Sequence, residues 1–166
     1  DAARARRYVA AVVAEIQCAT PSLSVDTIYF GGGTPSVLEP GDVSQILDAC
    51  RSLFTVAHDA EITMEANPES ATEVRLAGYR AAGVTRLSLG VQSFRDDELA
   101  PLGRLHSSVG ARHAVASARA VGFEDVSIDL MMWLPGQTVI DWLESVDALI
   151  ELEPDHASLY LLEVYP

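Results

Sequence analysis

Several residue groups able to hold a polar ligand sit at one kind of place in this sequence, the end of a short apolar and β-branched run. Gly31-Gly32-Gly33-Thr34-Pro35 follows residues 25–30, Glu65 ends 61–65, Gln92 ends 86–92, and Asp129 lies in 126–130. In parallel α/β folds the C-terminal ends of strands are where ligands bind. Three consecutive glycines leave backbone N–H groups uncovered and permit φ > 0, so polar ligand atoms can approach the main chain. A tight strand-to-helix turn also needs glycine, and the triplet alone fits either use. It lacks the G-x-G-x-x-G spacing of a dinucleotide site and the Gly-Lys-Ser/Thr ending of a P-loop. Pro35 holds Thr34 extended, so the turn does not run straight into a helix N-terminus as a phosphate cradle would.

The elements that must position these residues follow from periodicity. Val9, Val12, Val13 and Ile16 repeat at helical spacing, and Pro21 closes that helix. Val43, Ile46, Leu47, Cys50 and Phe54 mark a second helix with Pro40 in its first turn. Ser70 with Glu73 reads as a capping box for a third, ended by Gly83. Ser107 or Ser108 caps a fourth along Ala111, Ala114, Val115, Ala118 and Val121, ended by Gly122. Thr138 with Asp141 opens a fifth, continued by Leu143, Val146 and Ile150 up to Pro154, and residues 157–163 form a last strand. The order is one helix, four βα units and a strand, which predicts a parallel sheet in one domain.

Strand side chains alternate faces. Ile62 and Met64 oppose Glu61, Thr63 and Glu65; Leu87, Leu89 and Val91 oppose Arg86, Ser88, Gly90 and Gln92; Val126, Ile128 and Leu130 oppose Ser127 and Asp129. A doubly wound sheet, buried on both faces, would read as continuous apolar runs. A closed eight-stranded barrel would fill its lumen with Val, Ile and Leu. Amphipathic parallel strands instead predict an incomplete, wider barrel around a large polar ligand. Either carboxylate alone would be a solvated strand end or a partner for Arg86. The glycine turn, Glu65, Gln92 and Asp129 at equivalent positions of four successive strands favour a site.

A formal charge of −13 argues against nonspecific binding to nucleic acid or to an anionic membrane, which needs clustered cations. No apolar run reaches the ~18 residues of a transmembrane helix. Two cysteines make no disulfide framework, and a cytoplasmic setting is the expectation. Cys50 lies on a helical stripe and reads as a small core residue, with Cys18 far from it in sequence. The opening Asp1-Ala2-Ala3-Arg4 has neither initiator Met nor signal-peptide character, and a piece of something longer is expected.

Five stretches together resemble the radical S-adenosylmethionine (SAM) proteins of the anaerobic coproporphyrinogen oxidase and haem chaperone group. They are residues 27–36 (TIYFGGGTPS), 64–68 (MEANP), 87–94 (LSLGVQSF), 102–106 (LGRLH), and 129–131 (DLM) with 134–138 (LPGQT). They occur in the family's order through most of the chain.

The resemblance implies an α/β fold, a partial (β/α)6 TIM-like barrel with five strands present and the first missing. Residues 1–166 would be its core domain, truncated at both ends. SAM would lie across the lumen mouth. Gly31, Gly32, Gly33 and Thr34 would meet its methionine end through the backbone, with Glu65 near the amino acid part. Arg104 would pair with the carboxylate, and Gln92 and Asp129 would bond the ribose hydroxyls. The chemistry agrees, because a zwitterion needs one anionic and one cationic partner and a guanidinium grips a carboxylate through two bonds.

Two departures from the family pattern stand out. The CxxxCxxC motif for a [4Fe-4S] cluster is absent, and Cys18 and Cys50 do not replace its three thiolates. The full-length protein is expected to carry those cysteines upstream. Met131-Met132-Trp133 replaces an aromatic residue followed by Gly, and Trp133 could stack on the adenine or obstruct it.

The resemblance implies two functional readings, and the departures from it a third. The favoured one is a haem chaperone that binds haem and passes it to an acceptor protein, because residues 102–106 and 136–138 look more like that branch. The second is an oxidase turning two propionates of coproporphyrinogen III into vinyl groups with a 5′-deoxyadenosyl radical. The third is a degenerate barrel without SAM chemistry. His106 is open to two uses, as a haem ligand or as an ordinary loop residue.

Overall fold

The computed structural model describes residues 2–20 and 24–163. The elements are α1 (Ala2–Gln17), β1 (Ser24–Phe30), α2 (Pro40–Leu53), β2 (Thr55–Ala66), α3 (Glu73–Ala82), β3 (Arg86–Gln92), α4 (Asp96–Leu99), α5 (Ser108–Ala120), β4 (Asp125–Met132), α6 (Val139–Glu151) and β5 (His156–Leu161). Pro21, expected to close α1, lies outside the described residues.

The five strands are parallel and ordered β1-β2-β3-β4-β5. A doubly wound sheet reverses direction once, whereas here each strand adds to the same side of the last. Right-handed crossovers then put every connecting helix on one face. Helix α1 packs on α2, α2 on α3 and α3 on α5. The outward residues Ile62, Met64, Leu87, Leu89, Val91, Val126, Ile128 and Leu130 join Val43, Leu47, Leu76, Ala114 and Ala118 in one buried core. The sheet curls into a half-barrel, so that Tyr29 on β1 comes within electrostatic range of Asp129 on β4 and Tyr160 on β5.

The lumen floor is closed by charge. Arg86, at the start of β3, lies 3.2 Å from Asp125 and 4.0 Å from Glu61, with its side chain only 16% exposed. Its ion-pair partners are therefore at the bottom of the lumen, which leaves Glu65 and Asp129 free of that duty at the mouth.

Several boundaries and faces differ from expectation. Strand β2 begins at Thr55, because its first residues pair with Ser24 and Val25 before the register jumps to Thr27 opposite Glu61. The short α4 carries no apolar repeat that would announce it. Ser70 does not cap α3. It belongs to a 3-10 turn, Pro68–Ser70, and the cap is Thr72, whose hydroxyl accepts from Arg75 N–H. The Thr138–Asp141 capping box forms, as do the Ser107 cap and left-handed Gly83. On α6 the stripe of Leu143 and Ile150 faces outward, 51% and 62% exposed. The buried positions are Ser145 and Ala148, flanked by Trp142, Leu149 and Leu152. Both faces of α6 are apolar, so periodicity alone did not say which meets the sheet. On the buried face Ser145 Oγ accepts from Phe94 N–H at 3.2 Å, so the small side chains there meet the segment after β3.

Candidate functional site

The glycine turn carries the backbone through the left-handed region at Gly32 (φ 81°) and Gly33 (φ 66°). Thr34 returns to negative φ (−139°, ψ 85°), short of a fully extended conformation, and Pro35 starts a 3-10 turn, Pro35–Val37, rather than a full helix. The segment after the turn is anchored from α3. Tyr79, fully buried, places its hydroxyl 2.9 Å from the Ser36 carbonyl and 2.7 Å from that of Leu38. Arg75 Nη2 donates to both carbonyls and to the Tyr79 oxygen.

Glu65 stands where β2 ends. Its Oε1 accepts from Tyr29 O–H at 2.8 Å and its Oε2 from Gly32 N–H at 3.1 Å. The N–H of Gly32 is thus directed to a protein carboxylate, not to open space.

On β3, Gln92 adopts φ 71°, a left-handed conformation for a residue with a side chain, where the pairing with β4 slips between Leu89 and Gln92. Such strain persists where the surroundings impose it, often at ligand sites. Its Oε1 is buried without a hydrogen-bond partner, as is Arg104 Nε. Arg104 comes from the loop between α4 and α5 and donates to the Gly90 carbonyl. Just before α4, Arg95 pairs with Asp97, Asp141 and Glu144 and so fastens the connection from β3 to the start of α6. Orphaned atoms on an amide and a guanidinium are open positions for a ligand's donor and acceptor groups.

Asp129 accepts from Ser88 O–H at 3.1 and 3.3 Å. Burial pushes its carboxyl above the usual range, and nearby Glu65 adds to this. Hydrogen bonds from Ser88 and Ser158 and the more distant Arg86 pull the other way.

These side chains meet at one cavity of about 320 Å³. Gly33, Thr34, Glu65, Gln92, Arg104 and Asp129 line it; Gly31 and Gly32 do not. Both meet Glu65 instead: Gly32 donates its N–H to Oε2, and a Cβ on Gly31 would stand 3.1 Å from Oε1. Pro35, Ala66, Asn67, Ser88, Gly90, Met131 and Tyr160 complete the lining. Ser88 and Gly90 were already on the polar strand face. Tyr160 shares the face of Ser158 on β5, so the same parity would have found it. The cavity sets two carboxylates, Glu65 and Asp129, a guanidinium and the Gln92 amide around one space, chemistry that fits a ligand with a zwitterionic end and hydroxyl groups, such as SAM.

Trp133 neither stacks over the cavity nor blocks it. It is 73% exposed, with φ 63° and its backbone N–H bonded to Gln137 Oε1 at 2.9 Å, and Met131 takes the lining position. His106 is buried, with Nδ1 3.2 Å from Glu69 and Nε2 3.0 Å from the Val91 carbonyl. Both ring nitrogens are engaged, which suits a structural histidine and not a haem ligand. Cys18 is exposed at the end of α1, and Cys50 is half-buried on α2. No cluster of three or more metal-ligating side chains exists among the described residues, so they do not fit a [4Fe-4S] cluster.

Comparison with known proteins agrees with this architecture. The chain is 44% identical over 161 residues to the haem chaperone HemW of Mycobacterium tuberculosis, covering 95% of this chain and 41% of that protein. It is 45% identical over 140 residues to the mitochondrial radical S-adenosyl methionine domain-containing protein 1 of Bos taurus, covering 84% of this chain and 32% of the relative. The solved structure of the coproporphyrinogen III oxidase HemN from Escherichia coli, a radical SAM enzyme, superposes with a TM-score of 0.90 at 31% identity. It covers 98% of this chain and 38% of that one. The chain thus spans roughly a third to two fifths of these proteins. The Radical SAM superfamily model matches residues 4–149, and on that match, the half-barrel and the polar mouth the chain belongs to the radical SAM superfamily.

Proposed function

We propose that the lumen mouth is a SAM site and that the chain is the SAM-binding core of a haem chaperone of the HemW kind. The observation that carries the first part is the convergence of Glu65, Arg104, Gln92 and Asp129 from separate elements on one cavity. In this reading Glu65 accepts from the α-ammonium while backbone at Gly33 and Thr34 borders it. Arg104 exchanges its Gly90 carbonyl for the SAM carboxylate, and Gln92 and Asp129 hold the ribose hydroxyls. Met131 and Tyr160 shield the ligand from water. Members of this superfamily use SAM with a [4Fe-4S] cluster, which together supply one-electron chemistry. No described residue of this chain would hold that cluster, and cysteines outside these 166 residues would have to do so.

The chaperone reading is favoured over the oxidase by the higher identity to HemW, 44% against 31% for HemN. Haem would be the cargo and an acceptor protein the partner; coproporphyrinogen III would be the substrate in the alternative. No helix among the described residues is long and apolar enough to cross a membrane. A cytoplasmic setting belongs to the same reading, although the Bos taurus relative bears a mitochondrial name.

Calorimetric titration of SAM into the protein and its Arg104→Ala variant tests the site. Saturable binding weakened at least about tenfold is expected from loss of a charge-assisted bidentate pair. Absent binding, or binding indifferent to the variant, sinks the assignment. Haem binding assayed beside anaerobic conversion of coproporphyrinogen III separates the two functions, and robust turnover would make the protein an oxidase.

A further inference from the structure

We propose that Tyr29 is a positioning residue of the ligand site, acting through Glu65: its hydroxyl and the Gly32 N–H together aim the carboxylate at the ammonium of the bound amino acid. The inference rests on the SAM reading of the cavity.

Tyr29 shares the lumen face of β1 with Thr27, opposite the core-facing Ile28 and Phe30. In the sheet register Tyr29 pairs with Thr63, so Glu65 lies two residues further along β2. A tyrosine spans that diagonal, and its hydroxyl ends 2.8 Å from Glu65 Oε1. To get there the ring passes over Gly31. A Cβ built on Gly31 would lie 2.5 Å from Tyr29 Cε1, 2.9 Å from Cδ1 and 3.1 Å from Glu65 Oε1. The first glycine of the triplet therefore makes room for the Tyr29 ring, and the second, in the left-handed region, turns its N–H to Glu65 Oε2.

Each carboxylate oxygen thus receives one donor from the protein. A carboxylate has roughly four acceptor positions, so a ligand ammonium still finds open lone pairs on a group that can no longer rotate. Tyr29 does not line the cavity, which Glu65 does. Its phenol pKa is pushed up to about 12, by burial first and by Glu65 second, so it remains a donor across the physiological range.

The test compares two probes by calorimetry on the protein. SAM carries the amino acid end; 5′-methylthioadenosine has the nucleoside without it. Tyr29→Phe is expected to weaken SAM about tenfold, the scale of one hydrogen bond to a charged group, and to leave methylthioadenosine unchanged. Glu65→Gln should do the same, and adding Tyr29→Phe to it should cost nothing more, because Tyr29 acts only through Glu65. A general structural role would weaken both probes alike and would overturn the proposal. So would unchanged SAM binding by Tyr29→Phe. Should that variant fail to fold, Tyr29→Leu removes the same hydroxyl without touching Glu65 or the glycine turn, and the same loss confined to SAM is required. If the unaltered protein binds methylthioadenosine but not SAM, the SAM site itself is refuted and Tyr29 loses its role with it.

Discussion

Arg104 folds back across β3 and donates a hydrogen bond to the carbonyl of Gly90, the one position of that strand's lumen face with no side chain. The contact needs that emptiness. A Cβ on Gly90 would stand 2.9 Å from Arg104 Nη2, 3.2 Å from Gln92 Nε2 and 3.3 Å from Asn67 Oδ1. All three are ends of side chains, and the backbone of Gly90 is not in the left-handed region.

Gly90→Ala is therefore expected to displace three cavity-lining groups without unfolding the sheet. Circular dichroism and the unfolding midpoint should stay near those of the unaltered protein, while SAM affinity falls about tenfold. Unchanged affinity would show that Arg104 and Gln92 are not ligand contacts.

Asp129 sets stability against binding. A carboxyl whose folded pKa is raised above its unfolded value binds more protons in the native state between the two values. Stability falls as pH rises through that window and stays lower above it. Asp129→Asn should raise the unfolding midpoint at pH 7, with the gain vanishing in acid where the carboxyl is protonated in both states. The same variant should weaken SAM and methylthioadenosine together, because the ribose is common to both. Thermal melts from pH 3 to 8 check the first claim, and titration checks the second.

The Tyr79 hydroxyl is fully buried between Arg75 and the carbonyls of Ser36 and Leu38. Tyr79→Phe removes it without changing the ring, at an expected cost of about 1–2 kcal/mol in urea unfolding. The loss should be accompanied by faster amide exchange at residues 36–38, since these carbonyls hold the segment after the glycine turn. A cost without local exchange would place the effect elsewhere.

The cysteines should differ in reactivity. Cys18 is exposed, whereas burial pushes the Cys50 thiol up. Iodoacetamide at pH 8 is expected to label Cys18 in the folded chain and Cys50 mainly after unfolding. Incubation of these 166 residues with iron and sulfide under reducing conditions should yield no stable [4Fe-4S] spectrum, and a stable one would contradict the reading of both cysteines as structural bystanders.

Glu65, Gln92 and Asp129 were legible in the sequence because side-chain direction in a strand has period two, and residues ending successive parallel strands must share one end of the sheet. Alternation of Leu87, Leu89 and Val91 with Arg86, Ser88 and Gly90 likewise told a barrel with a polar lumen from a doubly wound sheet. Arg104 was visible only through family resemblance, since a loop has no period from which to infer direction.

What the sequence determined by itself was which residues could face the lumen, because that depends on local backbone geometry. What only the tertiary structure decided was how they are shared out. The Gly32 N–H serves Glu65 and not open space, both nitrogens of His106 are taken, Trp133 stands outside, and α6 buries Ser145 while Leu143 and Ile150 face outward. Each of these outcomes depends on a partner far away in the chain, and only folding brings the two into hydrogen-bond or packing distance.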